Sequence, residues 1–343
     1  MKKLYITGCM LAIILGLYSA HLHGMEEFVP MPEYVESTVI SHEVGPRTVN
    51  QLTSKGTDQV ITYEGEPRRI MGVWQSSVET LLALGVGDRI IAAIGVPDSK
   101  YIAEEYRDAY EKIPYKSMEI PDVETTLLWE PDLLVGWYST FQKNNWKSTD
   151  FWAQRGIDSY ISRASYKKSK RTVEGEYQYI LDLGAIVNRQ ERAQALVNRT
   201  KRAVAEARAY GEAQHTKDTV LILENSGRQY RVYDKETLAG NMLEEIGGHL
   251  ISEAGQTINA EELIHLNPSV IFLVLVEEDY ERQDELIDNL YKNPTLQHVD
   301  AIRNHRVHGV PLFMVYSAGT RVHDGLNLMI HGLYPNFTGG IHE

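Results

Sequence analysis

From residue 60 onward, short unbroken apolar runs alternate with stretches in which apolar residues recur every three or four positions. The runs Leu133–Val135 and Val270–Val276 predict strands covered on both faces. Val60–Tyr63, Ile70–Val73, Arg89–Ile94, Asp158–Ser162, Thr219–Leu223 and Arg306–Val310 read as further strands. The intervening spacing predicts helices over Val78–Leu84, Ala103–Tyr110, Phe151–Gly156, Met242–Ile246, Glu261–Leu266 and Val322–Leu333. Strands alternating with helices imply parallel sheets wound on both faces.

The pattern occurs twice. Glu124-Thr-Thr-Leu-Leu-Trp-Glu-Pro131-Asp-Leu-Leu-Val-Gly136 is echoed by Glu261-Glu-Leu-Ile-His-Leu-Asn-Pro268-Ser-Val-Ile-Phe-Leu273, with a glutamate seven residues before each proline. Each copy reads as an amphipathic helix stopped by proline, then a buried strand, with the residue before proline pushed toward extended geometry. A weaker echo pairs Glu79–Gly85 with Asn241–Gly247. Between the copies, residues 172–210 are rich in Ala, Glu, Arg and Gln, and Ala193, Leu196, Val197, Ala203, Val204 and Ala207 keep helical spacing. The fold expected is α/β: two doubly wound parallel-sheet lobes joined by one long helix, with a ligand cleft between them. The expected division is a leader over 1–24, a flexible, extended stretch over 25–59, a first lobe over 60–168, a linking helix over 169–213 and a second lobe over 214–343.

Composition adds compartment and partners. Lys2 and Lys3 precede an apolar run from Leu4 to Leu22, which reads as an export signal or a retained N-terminal anchor. The only cysteine, Cys9, sits in Ile6-Thr7-Gly8-Cys9, which imitates a lipid-attachment box, although most of the apolar run follows it. A mature chain without cysteine has no disulfide, thiolate metal site or cysteine nucleophile. The net charge of −13 argues against nucleic acid as a partner.

Ligands of open parallel sheets bind beyond the carboxyl ends of the strands. That rule selects Trp74, Gln75 and Ser76, then Trp137, Tyr138 and Ser139, then Arg163 to Ser165 in the first lobe. In the second it selects Asn225, Ser226, Arg228 and Tyr230, Glu277 to Tyr280, Pro311 to Tyr316 (with Met314 among them), and Arg321 before the closing helix. Aromatic faces stack on flat ligands and arginine forks clamp anions. No Gly-x-Ser-x-Gly elbow, phosphate loop, dinucleotide fingerprint or His-Glu-x-x-His occurs, and His305 with His308 reads as a solvated turn. The residues describe a binder rather than an enzyme. A cleft enzyme and a surface receptor without a transporter are the readings from other classes.

The ordered set Arg69-Ile-Met, Ser77-Val-Glu79-Thr-Leu-Leu-Ala-Leu-Gly85-Val-Gly-Asp-Arg-Ile-Ile-Ala and Glu124 to Val135 resembles the class III periplasmic-type substrate-binding proteins of ABC importers, which serve iron–siderophores, haem and cobalamin. The resemblance covers about residues 60 to 338 and includes Leu183-Gly184 and Gln190-Glu-Arg-Ala193. It implies an exported monomer, at the periplasm or the outer face of the cytoplasmic membrane, that delivers cargo to an ABC permease with its ATPase. It also implies modest closure on ligand. One exposed glutamate per lobe would dock arginines of the permease, with Glu79 at the first position and Glu244, or Glu245 beside it, at the second. No intrinsic cofactor is expected. The cargo expected is an iron complex, a ferric siderophore or haem, with a corrinoid as the alternative. Arg163, Arg228 and Arg321 would suit anionic groups, and Tyr138, Tyr230, Tyr316 and Met314 include axial ligands suited to haem iron.

Overall fold

The computed structural model describes residues 45–215, 217–227, 229–252 and 257–339. The expectations for the leader and for lipidation at Cys9 lie outside the described residues. An antiparallel hairpin comes first, β1 (Arg47–Leu52) and β2 (Asp58–Tyr63). The first lobe follows as β3 (Ile70–Val73), α1 (Gln75–Ala83), β4 (Ile90–Ile94), α2 (Glu104–Glu111), β5 (Tyr115–Ser117), α3 (Val123–Leu128), β6 (Leu133–Gly136), α4 (Thr149–Ala153) and β7 (Asp158–Ile161). Two helices come next, α5 (Val173–Ile186) and α6 (Gln190–Gln214). The second lobe is β8 (Thr219–Ser226), β9 (Gln229–Val232), α7 (Leu238–Glu245), β10 (His249–Leu250), β11 (Thr257–Ile258), α8 (Ala260–Leu266), β12 (Val270–Leu275), α9 (Glu277–Tyr280), α10 (Gln283–Lys292), α11 (Asp300–Arg303), β13 (Val307–Pro311), α12 (Leu312–Val315) and α13 (Val322–Leu333).

The first sheet is wholly parallel in the order β5-β4-β3-β6-β7. The second has the order β11-β9-β8-β12-β13, with β10 also on β8. Its β8, β12 and β13 are parallel, but β9 and β11 are antiparallel additions to the expected pattern. Gly227, at φ 75°, turns β8 directly into β9 where a crossover helix was expected.

The two copies of the repeat share their local devices. Asp122 caps α3 by accepting from Thr125 N, and Asn259 caps α8 with Glu262 in a capping box. Each helix ends on a left-handed residue, Glu130 at φ 47° and Asn267 at φ 44°, immediately before its proline. The residue before proline is thus left-handed rather than extended, which satisfies the helix end and still avoids the α region that proline forbids. The strands then start alike: Asp132 N donates to Arg69 O at 3.0 Å and Ser269 N to Thr219 O at 2.9 Å.

The linking segment is two helices rather than one. Asn188 at φ 57° breaks it between α5 and α6. Gly184 permits the tight return, since a Cβ there would collide with that of Ala193. The long helix α6 carries the expected periodicity, but α5 makes contacts with both lobes. Tyr179 donates to Ser77 Oγ at 3.2 Å in the first, and Asn241 Oδ1 accepts from Val173 N at 2.8 Å in the second. One apolar core therefore runs beneath both lobes, through Val78, Leu81, Ile180, Leu183, Val315, Val322 and Leu326. Each lobe adds a private core, around Trp129, Trp146 and Trp152 in the first and Leu221, Ile271 and Ile302 in the second.

Candidate functional site

The carboxyl ends of the two sheets face each other across a cavity of about 260 Å³. The first lobe contributes Trp74, Gln75 and Ser76 after β3, Gly95 and Pro97 after β4, Met118 after β5 and Trp137 after β6; the second contributes Glu277 after β12 and Leu312, Phe313, Tyr316 and Ser317 after β13. Trp74, Trp137 and Tyr316 form a continuous wall, with ring centroids 5.1 Å apart for the first pair and 5.9 Å for the second. Trp137 Nε1 donates to Ser76 Oγ at 3.2 Å, which fixes the middle ring.

Trp74 holds φ 72° and ψ 147°, a region otherwise left to glycine. Such a residue costs about 1–3 kcal/mol and persists only where its surroundings over-determine it. Here Trp74 N donates to Ile94 O at 2.7 Å, and its carbonyl accepts from Ser77 and Val78 to start α1. Gly95, itself at φ 74°, makes room: a Cβ there would lie 2.7 Å from Trp74 Cε3. The indole Nε1 is buried with no partner, and so is Gln75 Oε1. The Gln75 amide nitrogen donates to Glu79 Oε2 and to Tyr101 O, both at 2.9 Å, which leaves its oxygen on the other side.

Of the residues expected in the cleft, Trp74, Gln75, Ser76, Trp137, Glu277, Leu312, Phe313 and Tyr316 line it together. Several others do not. Tyr138 stacks on Tyr166 at 4.6 Å. Arg163 turns to the β1–β2 hairpin, pairing with Asp58 at 2.6 Å and donating to Asn50 O at 2.9 Å. Met314 lines a neighbouring cavity of about 470 Å³ beyond the Tyr101–Phe313 contact. Asn225 and Tyr230 are register partners across the β8–β9 hairpin, and neither is in the lining. Arg228 lies outside the described residues. Gly95, Pro97, Met118 and Ser317 were missed; the strand-end rule finds the first three when it is applied to β4 and β5 as well.

Arg321 and Glu79 are internal. Arg321 Nη1 lies 3.4 Å from Glu79 Oε1, and its Nε lies 3.0 Å from Asp324 Oδ2. Glu79 is 0% exposed and also accepts from Ala103 N at 2.7 Å. Burial pushes its carboxyl upward, against Arg321, Ala103 and Gln75, which favour the charge. The exposed docking position expected at Glu79 is therefore absent, because Ala103 of the first lobe and Arg321 of the second enclose its carboxylate. Glu244 is exposed and Glu245 half-buried, and Arg208 holds both of their carbonyls at the end of α7. Nearby, Glu176 of α5 accepts from Gly319 N at 2.7 Å, and burial pushes its carboxyl up to about 7. At the opposite rim, Lys100 pairs with Glu281, and Tyr101 Oη donates to Glu277 O at 3.2 Å.

Residues 73–311 match the family model described as periplasmic binding protein. The chain is 39% identical to a periplasmic binding protein of Veillonella parvula DSM 2008, over 85% of this chain and 92% of that one, with a TM-score of 0.81. It is 23% identical to an ABC transporter substrate-binding lipoprotein of Bacillus subtilis (strain 168), YvrC, over 86% of this chain and 87% of the relative. The fold is shared with the Fe3+-hydroxamate transport protein of Saccharomonospora viridis DSM 43017, at 22% identity over 84% of this chain and 99% of that one, with a TM-score of 0.63. Among the described residues no helix is long and apolar enough to cross a membrane.

Proposed function

The chain belongs to the periplasmic binding protein family of ABC transporter substrate-binding proteins, and from that premise we propose that it captures a metal chelate in the inter-lobe cleft, outside the cytoplasmic membrane, and passes it to a permease driven by an ATPase. The observation that carries this reading is the aromatic wall Trp74–Trp137–Tyr316, assembled from both lobes where the two sheets end. Such a wall suits the broad faces of a ferric siderophore, haem or a corrinoid. A chelate larger than the cavity would seat one face against the wall and leave the rest at the mouth.

Docking needs an acidic, exposed position on each lobe, and the repeat supplies one. Glu124 and Glu261 are both exposed in the first turns of the equivalent helices α3 and α8. Charges so placed govern orientation and association rate more than affinity. Leu128, 66% exposed on α3, adds an apolar contact beside the first.

The test begins with the protein purified from its native host. A Soret band, a corrinoid spectrum or a ferric charge-transfer band is expected, and a colourless protein that none of the three chelates stabilises on heating would end the proposal. For docking, Glu124→Lys with Glu261→Lys is expected to leave chelate binding intact and abolish uptake; unchanged uptake would remove these residues from the interface.

A further inference from the structure

The fold's relatives carry chemically different cargoes, so this chain's selectivity has to be read from its own cleft. Among the described residues that line the cavity, Glu277 is the sole charged side chain, and none is cationic. The two described arginines expected to meet an anionic cargo already hold carboxylates of the protein, Arg163 the half-exposed Asp58 and Arg321 Glu79 and Asp324. The acidic run Glu277, Glu278 and Asp279 opens α9 at the cavity edge. An anionic group placed here would lose its hydration without gaining an opposite charge.

Two adjacent residues of the lining each carry an unpartnered polar atom, a donor on one and an acceptor on the other. Trp74 Nε1 and Gln75 Oε1 are both buried and both lack a partner. Buried polar groups are ordinarily paired, and an unpaired one marks a place where a partner arrives from elsewhere. The two atoms are covered in this state, so a ligand reaches them by displacing the Trp74 ring, whose backbone is already strained. A carboxamide carries the complementary pair, a carbonyl that can accept from an indole N–H and an N–H that can donate to a glutamine oxygen.

Resting on the proposed chelate-binding function, we propose that Trp74 and Gln75 read a carboxamide of the cargo, and that the cleft selects uncharged or cationic amide-bearing chelates over anionic ones. The described cation in ring contact with the wall is Arg171, whose guanidinium lies 5.1 Å from the centroid of Tyr316 and whose Nε donates to Ala164 O at 3.1 Å. It lies outside the lining, next to the exposed Lys167, Lys168 and Lys170. Of the described residues, this cationic segment is the one an anionic cargo meets at the Tyr316 end of the wall, which makes it the control.

The experiment measures quenching of tryptophan fluorescence, or calorimetric binding, with four probes on the mature chain. These are ferrioxamine B (amide-linked and cationic), cyanocobalamin (uncharged with a carboxamide rim), ferric enterobactin (a trianionic catecholate) and haemin (two propionates). One of the first two is expected to bind at least tenfold more tightly than either of the last two, and which one binds identifies the source of the amide. Trp74→Phe keeps the ring but removes the N–H, and is expected to weaken that probe about tenfold. Arg171→Gln is expected to leave it unchanged. Preferred binding of enterobactin or haemin, weakened by Arg171→Gln, would overturn the inference while leaving chelate capture intact. An unchanged affinity in Trp74→Phe would also overturn it. Failure of all four probes would instead count against the proposed function.

Discussion

Replacing Glu79 by alanine distinguishes an internal strut from an external contact. The substitution removes the acceptor of Ala103 N at 2.7 Å and of Gln75 Nε2 at 2.9 Å, and leaves Arg321 with Asp324 alone. Each buried donor left without a partner costs about 1–3 kcal/mol, and breaking a buried ion pair costs about 3–5 kcal/mol. The two overlap because they share one carboxylate, so the expected loss is about 3–5 kcal/mol. That is a large part of the roughly 5–15 kcal/mol that holds a protein folded. Equilibrium urea unfolding at pH 7.5 reads it as a lower midpoint at unchanged slope. The double change Glu79→Gln with Arg321→Met removes both charges and is expected to cost less than Arg321→Met alone. In Arg321→Met the deficit should shrink as the pH falls, because the isolated carboxyl, its pKa already raised by burial, can take up a proton. A Glu79→Ala protein with the wild-type midpoint and defective uptake would refute this reasoning and return Glu79 to the surface.

Glu176 makes stability depend on pH. Its folded pKa of about 7 lies above its ordinary value of 4.5, so its contribution is complete below pH 4.5 and lost as the pH rises through 7. The unfolding free energy should fall by about 3 kcal/mol from pH 4.5 to 8 on its account, and Glu176→Gln should flatten that slope. Gly95→Ala puts a Cβ 2.7 Å from the Trp74 ring at a φ of 74°; chelate affinity should fall at least tenfold, and near-ultraviolet dichroism should report the displaced indole. Arg163→Ala breaks a half-exposed pair with Asp58 and should cost under about 1 kcal/mol, with chelate affinity unchanged in the same titrations.

The alternation of apolar runs with helical spacing made the parallel sheets legible, because a strand buried on both faces has little freedom in composition. Trp74, Trp137 and Tyr316 were legible for a topological reason, since a parallel sheet presents the residues after its strands. What escaped depends on partners distant in sequence. The helix α1 reads as amphipathic, yet all nine of its residues are buried, with Ser77, Glu79 and Thr80 facing the second lobe and α5. Arg163 looks like an anion clamp until the hairpin supplies Asp58 more than a hundred positions earlier. The break at Asn188 rests on one left-handed residue within a composition that favours helix throughout.

The hydrophobic layer beneath both halves limits how this molecule can signal. Pulling the halves apart would wet Leu81, Leu183 and Val322 together, a penalty far above thermal energy, so the body acts as a nearly stiff caliper. Its two acidic tips, Glu124 and Glu261, would then keep almost the same span whether loaded or empty. A membrane partner gripping them would sense occupancy through the mouth of the groove rather than through the distance between its handholds.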